Sequence, residues 1–291
     1  MLASVVIATR DRAAFLRDSL TSLRAQSAVE QFEIVVVDNG SSDETADVVA
    51  QFAPLARRIY VAEPNRGKAR NAGIAAAQAP LIVFCDDDTL APREFVAAHL
   101  AAHAGAADRV VTGPIVNVPD AAHLSAVTAA HYSRAYFCTC NASAPRSALD
   151  AVKGFDEAFD LYGWEDTDLG VRLRAAGMQH VFAWDAYIYH VKPPAVMTLQ
   201  RRVALAREKG EMAARFVRKS PTWPVKLATG AYGANFARAA LANAAPLRRL
   251  YERIAGPDGR ERRGVSALAA DALVDAAYID ALRAALRPAH G

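Results

Sequence analysis

Three consecutive carboxylates, Asp86, Asp87 and Asp88, follow directly on the apolar run Leu81-Ile82-Val83-Phe84-Cys85. Each acid repels the next unless a cation or a hydrogen-bond donor compensates its charge. A solvated turn capping the following helix is one reading; a hard-oxygen site for a divalent cation is the other. Asp38 poses a related question at the end of FEIVVVD, because an acid closing a buried strand is costly unless paired. An acceptor-only carboxylate there can take the N–H of a nucleobase. In EPNRGKARNAG a helix is expected from Gly67, with Lys68, Arg70 and Asn71 in its first turn. Cations there oppose the helix dipole, but they make sense where a phosphate group sits on the exposed backbone N–H groups. A diphosphate beside three carboxylates calls for a divalent cation between them, Mn²⁺ or Mg²⁺.

Such residues need a scaffold that delivers them to one place. Ser4–Ala8, Phe32–Val37, Arg58–Val61 and Leu81–Phe84 read as buried strands, and Arg109–Gly113 as another. Between the first four, Ala13–Gln26, Glu44–Phe52 and Gly67–Ala77 carry apolar residues at helical spacing. That alternation predicts an α/β fold, a Rossmann-like, mostly parallel sheet flanked by helices. Ligands bind such sheets beyond the carboxyl ends of the strands, where TRDR, DNGSSDE, EPNRG and CDDDT fall. In DNGSSDE, Ser42 or Asp43 is expected to cap the next helix. Further on, Arg134–Cys140 reads as a strand, Arg146–Val152 and Asp166–Ala176 as helices, and His180–Phe182 and Ala186–Tyr189 as short strands. Cys138 and Cys140 would then share one face of a strand as small buried residues, outside any site.

From Val196 onward the pattern is purely helical, with a long helix over Met197–Val217 broken by Pro221 and Pro224. GPDGRERRG, 256–264, reads as a mobile polar linker. The expected division is a catalytic domain over 1–195 and a basic, Ala-rich helical region over 196–291. The net charge of +3 conceals this split: 196–255 holds 12 Lys/Arg against 3 Asp/Glu, a local +9 that leaves −6 elsewhere. An anionic partner near the C-terminal part follows, either a membrane surface or an anionic substrate beneath a helical cap. No nucleic-acid partner is expected. Three cysteines without zinc-type spacing fit a reducing compartment. The first apolar run is a strand rather than a signal peptide, and no run reaches the roughly 18 apolar residues of a membrane span. The expectation is a cytoplasmic chain, free or peripheral at the inner face of the plasma membrane.

The ordered series VVIATRDR, VVVDNGSSDET, NRGKARNAG, FCDDDT, CNASAPRSAL, GFDEAF, GWEDTDLGVRL and YIYHVK resembles the family-2 glycosyltransferases of GT-A fold, over roughly residues 3–192. The resemblance implies a nucleotide-diphosphate sugar donor read at its base by Asp38, with Thr9 and the backbone near Ala8 and Arg10 lining the pocket. Arg70 would face the diphosphate, with Lys68 able to share that role. Asp86 and Asp87 would lie near the ribose and the metal, and Asp88 and His190, which falls 24 residues after Asp166, would ligate the cation. Asp166 matches the catalytic base, Glu165 would contact sugar hydroxyls, and Trp164 would offer a platform to a sugar ring. The same resemblance implies a single displacement with inversion onto a hydroxyl of a glycan or lipid-linked acceptor. A pyrimidine with a ring N–H would suit Asp38, favouring UDP or dTDP. Glu165 and Asp166 also read as acids favourable to a helix start, and His190 as a structural histidine. A non-catalytic nucleotide-sugar or polysaccharide-binding module, or a sugar nucleotidyltransferase, stand as alternatives.

Overall fold

The computed structural model describes residues 1–193, 197–256 and 264–287. All but the end residues of the linker expected at 256–264 therefore lie outside the described residues. Contacts divide the chain into two units, Met1–Asp160 with Glu165–Pro194, and Leu161–Trp164 with Ala195–Gly291.

In the first unit the elements run β1 (Ala3–Thr9), α1 (Ala13–Arg24), β2 (Phe32–Asp38), α2 (Thr45–Ala50), β3 (Ala56–Tyr60), α3 (Arg66–Ala76), β4 (Leu81–Cys85), β5 (Thr89–Leu90), α4 (Phe95–His103), β6 (Arg109–Thr112), β7 (Ile115–Val118), β8 (Asn141–Pro145), α5 (Arg146–Ala151), α6 (Glu165–Ala175), β9 (Gln179–Phe182) and β10 (Ile188–Val191). Seven strands form the main sheet in the order β3-β2-β1-β4-β8-β6-β9. The first four in that order are parallel, β8 is antiparallel to both its neighbours, and β9 is parallel to β6. The register sets Thr9 level with Asp38, so both chains leave the sheet at the same edge.

Helices cover both faces of the central strands β1, β2 and β4, which is why these are mostly apolar on both faces rather than alternately. Val5, Ile7, Ile34, Val36 and Val83 pack with Leu16, Leu20, Leu23 and Phe95. The intervening Val6, Val35, Val37, Ile82 and Phe84 pack with Ile74, Leu149, Phe155, Leu169 and Leu173. Strand alternation sorts neighbours to opposite faces, and each fully buried side chain of this size contributes about 1.5–3 kcal/mol. α3 lies so close to the sheet that a Cβ at Gly73 would stand 2.4 Å from Val6 Cγ1.

Three expectations are corrected. Arg134–Cys140 is not a strand; pairing with β4 and β6 begins at Asn141. Asn141 and Ser143 have little intrinsic strand preference, yet they are fully buried and satisfied by His99, whose ring nitrogens lie 3.0 Å from Asn141 Oδ1 and 2.8 Å from Ser143 Oγ. Cys138 and Cys140 precede this strand, so the shared-face reading falls, and all three cysteines are free. The α2 N-cap is Glu44, without a side-chain cap bond. Asp43 instead accepts from Thr45 N at 3.1 Å and from Ala13 N at 2.9 Å, tying the start of α1 to the loop after β2.

A second, three-stranded sheet has the order β5-β10-β7. Within it β10 runs antiparallel to β5, with His190 opposite Thr89.

The second unit is helical: α7 (Leu199–Lys219), α8 (Trp223–Thr229), α9 (Gly233–Ala242), α10 (Ala245–Ala255) and α11 (Val265–Leu286). α7 and α11 touch at Gly210, where a Cβ would stand 2.4 Å from the Tyr278 carbonyl oxygen. Arg202, Arg238 and Arg248 pair with Asp271, Asp275 and Asp280 of α11. Part of the basic excess of 196–255 is thus met by the helix that follows it. No helix among the described residues is long and apolar enough to cross a membrane.

Candidate active site

The acids at the end of β4 are each compensated, and by different partners. Asp87 is almost fully buried; its Oδ2 accepts from Thr9 Oγ1 at 2.7 Å and its Oδ1 lies 3.1 Å from an Arg12 nitrogen. Burial pushes its carboxyl up to about 6, against the pull of Arg12 and Thr9. Asp88 Oδ2 accepts from the other Arg12 nitrogen at 2.7 Å. Although burial opposes its charge, His190 and Arg12 hold Asp88 below the usual carboxylate range. Asp86 lies 3.5 Å from Arg70.

His190 reaches this loop through sheet pairing. Thr89, the residue after Asp88, sits opposite His190, and Val191 N donates to the Asp88 carbonyl at 2.8 Å. His190 Nε2 consequently stands 3.2 Å from Asp88 Oδ1, a buried oxygen that no hydrogen bond of good geometry reaches. A carboxylate oxygen and an imidazole nitrogen converge there, and with the ring proton on Nδ1 both can ligate a cation. The residues fit a divalent cation on this observation: Asp88 and His190 supply two ligands, and Mg²⁺ or Mn²⁺ commonly takes the rest from phosphate oxygens and water. No group of three or more His, Cys, Asp or Glu gathered for a metal occurs among the described residues.

Arg70, on the second turn of α3, is buried between two acidic loops. It donates to Glu165 Oε1 at 3.0 Å, and its guanidinium lies 5.6 Å from the centre of the Phe155 ring. Although burial opposes its charge, the carboxylates of Asp86, Glu165 and Asp166 hold its pKa above the ordinary value. Glu165 Oε2 is buried without a hydrogen-bond partner. Among the described residues Asp166, in the first turn of α6, accepts only from its neighbour Thr167, at 2.7 Å from the backbone N–H. It keeps some surface open yet is densely surrounded, and that burial, with the charge of Glu165, pushes its carboxyl up to about 6. Asp168 differs: it is tied to Arg172 at 2.8 Å one turn on and serves the helix.

Asp38 is 1% exposed, and both of its oxygens are engaged, Oδ1 by Ser41 N at 2.8 Å and Oδ2 by Arg58 at 2.6 Å. Lys68 is tied to Glu63 on the surface rather than turned to the acids. Its N–H is capped by Asn65 Oδ1 at 2.9 Å. Trp164 belongs to the second unit. There its indole N–H donates to the Lys209 carbonyl at 3.1 Å, its ring packs on Phe216, and the Lys209 ammonium lies over it at 5.5 Å. With φ 75° it occupies the left-handed region, a conformation that a non-glycine residue adopts only when its surroundings enforce it.

The structure therefore gathers Thr9, Arg70, Asp86, Asp87, Asp88, Glu165, Asp166 and His190 into one chain of contacts and mutual charge effects. Asp38 leaves the sheet beside Thr9, while Lys68 and Trp164 are engaged elsewhere. Sequence reasoning missed Arg12 and Arg58. Their only signal was the general one that buried acids need partners.

A mostly parallel sheet with buried acids on its carboxyl edge, followed by an acidic helix start, is the GT-A arrangement. The chain belongs to glycosyl transferase family 2, which it matches over residues 4–152; residues 122–194 also match the N-terminal domain of galactosyltransferase. It is 34% identical over 264 residues to validoxylamine A glucosyltransferase of Streptomyces hygroscopicus subsp. jinggangensis (strain 5008), covering 76% of this chain and 61% of the relative. It is 26% identical to an uncharacterized glycosyltransferase, YfnE, of Bacillus subtilis (strain 168), covering 67% of this chain and 66% of that one. The chain thus spans about three-fifths to two-thirds of the length of these relatives. Its fold is similar to that of mannosyltransferase PcManGT from Pyrobaculum calidifontis in complex with GDP-Man and Mn²⁺, with TM-score 0.63 and 20% identity over 98% of this chain and 86% of that one. S. aureus TarS 1–349 in complex with UDP-GlcNAc gives TM-score 0.60 and 18% identity over 98% and 90%.

Proposed function

We propose that this chain transfers a sugar, with inversion, from a nucleotide-diphosphate sugar, a UDP- or dTDP-sugar by preference, to a hydroxyl of a glycan or a lipid-linked acceptor. The observation that carries the reading is Asp166: a carboxylate of raised pKa, bonded only to its neighbour, at the start of a helix tied through Arg70 to the acidic loop after β4. Such a group is suited to general-base catalysis. Asp166 takes the proton of the acceptor hydroxyl as that oxygen attacks the anomeric carbon from the face opposite the diphosphate. One displacement of this kind inverts the configuration. Arg70 contributes fixed positive charge where the leaving group gathers negative charge, and Glu165 Oε2 offers a free acceptor to a sugar hydroxyl. Asp38, sharing its carboxylate with Arg58, meets the base, and Thr9 fixes Asp87 for the ribose. Asp88 and His190 would hold a divalent cation, which when bound neutralises the diphosphate.

The test is to incubate the chain with UDP-, dTDP- and GDP-sugars, Mn²⁺ and validoxylamine A as a trial acceptor, and to identify the released species. Nucleoside diphosphate that disappears in Asp166→Asn supports the reading. Pyrophosphate release would instead define a nucleotidyltransferase, and tight binding with no release a non-catalytic module. The exposed Trp223, Leu227, Leu241 and Leu268, in the unit that carries the basic excess, favour a second reading of peripheral attachment to an anionic membrane. Co-sedimentation that ignores the anionic-lipid content of liposomes would overturn that second reading.

A further inference from the structure

Arg12 sits at the N-cap of α1, 75 and 76 residues from the two acids it meets. Its guanidinium fork spans two carboxylates, 3.1 Å from Asp87 Oδ1 and 2.7 Å from Asp88 Oδ2, and is braced by the Phe15 ring at 4.8 Å. The remaining oxygen of Asp87 is held by Thr9, and that of Asp88 faces His190. Arg12 and a divalent cation are thus alternative counter-charges for the same pair of acids. An Asp88 carboxylate whose Oδ2 is already bonded to a guanidinium at 2.7 Å has less negative charge to give a cation at its Oδ1, beside His190, than a free one. The two sides of the contact also differ in exposure: the Arg12 side chain is 40% exposed, those of Asp87 and Asp88 5% and 11%. The arginine can swing out into water, whereas the acids stay in place.

We propose that Arg12 is a built-in competitor for the divalent-cation site, holding Asp87 and Asp88 until the cation displaces it and thereby weakening metal affinity. This rests on the metal site of the proposed function. A purely structural arginine that arranged the ligands would have the opposite effect, so that its loss would weaken metal binding.

Mn²⁺ alone, titrated into the full chain and followed by calorimetry and by the electron paramagnetic resonance of free Mn²⁺, separates these roles. Arg12→Met keeps an apolar stem over Phe15 and removes the charge. It is expected to bind Mn²⁺ about tenfold more tightly than the unsubstituted chain, with a lower Tm without Mn²⁺ and a larger rise in Tm with it. Arg12→Lys, which keeps the charge but loses the fork, is expected to fall between the two, and it provides the reading should Arg12→Met fail to fold. Affinity unchanged or weakened in both variants overturns the competitor role. If that happens while Asp88→Asn still abolishes Mn²⁺ binding, the metal site stands and only the role of Arg12 falls. Absence of Mn²⁺ binding in the unsubstituted chain and in both variants removes the site itself.

Discussion

The two units of the chain handle charge in opposite ways. In the first, oppositely charged groups are buried: the Arg70–Glu165 pair has side chains 10% and 9% exposed, and Asp38 beside Arg58 is 1% exposed. In the second, Arg202–Asp271, Arg238–Asp275 and Arg248–Asp280 lie on the surface, with side chains between 28% and 61% exposed. Exposed pairs gain little because water competes and salt screens them. Buried pairs lose hydration that their attraction barely offsets, so a fold gains little stability by keeping them. Charge retained in the first unit despite that loss marks a preorganised electrostatic site. In the second unit it joins helices and solubilises them.

Substitutions can break this contrast, and the largest effect is expected at the base. Asp166→Asn should lower turnover by about 10³-fold or more while leaving nucleotide affinity nearly unchanged in a titration. The same variant should raise Tm at pH 7 to 8. The folded carboxyl titrates near 6, above its ordinary 3.8, so the protonated form favours folding and stability is lost as pH rises through that window. Asparagine mimics the protonated form and avoids the loss. A drop in Tm would argue that Asp166 is a structural cap.

Arg70→Met should follow, destabilising the fold by about 3–5 kcal/mol in urea denaturation, because it strands the buried Glu165 and leaves the half-buried Asp86 without its partner. The pH profile of kcat should then show a tenfold fall for each unit below about 6, as Asp166 takes up its proton. The smallest effect belongs to the second unit. Asp271→Asn should change stability by less than about 1 kcal/mol, with the difference vanishing in high salt. A large loss there would end the contrast between the units.

Most of the scaffold was legible because its signals are local. Apolar runs of five to seven residues between amphipathic segments announce parallel strands and their covering helices, and the polar loops announce the functional edge. The antiparallel strand at Asn141–Pro145 escaped because its polar residues look unlike a core strand until His99 is packed against them. The acids of the site were legible for the same reason that they are informative, since a carboxylate at the end of a buried strand demands an explanation. Their partners were not. TRDR holds two arginines, and nothing within the loop says that Arg12 reaches Asp87 and Asp88 while Arg10 lies beside Asp11. His190 could be noticed by its distance from Asp166 in sequence, but its approach to Asp88 depends on the register of β10 on β5. Trp164 read as an open ring, whereas Phe216 and Lys209 fill its surroundings.

The order of most elements, the edge that carries the candidate site, and the acids gathered there were determined by the sequence itself, because hydrophobic periodicity and the desolvation of charge act on short stretches of chain. Which cation answers each acid was decided only by the tertiary structure: Arg12 for Asp87 and Asp88, Arg58 for Asp38, Arg70 between Asp86 and Glu165. Ion pairing has no sequence period. It depends on strand register and helix packing that bring together residues 16 to 95 positions apart.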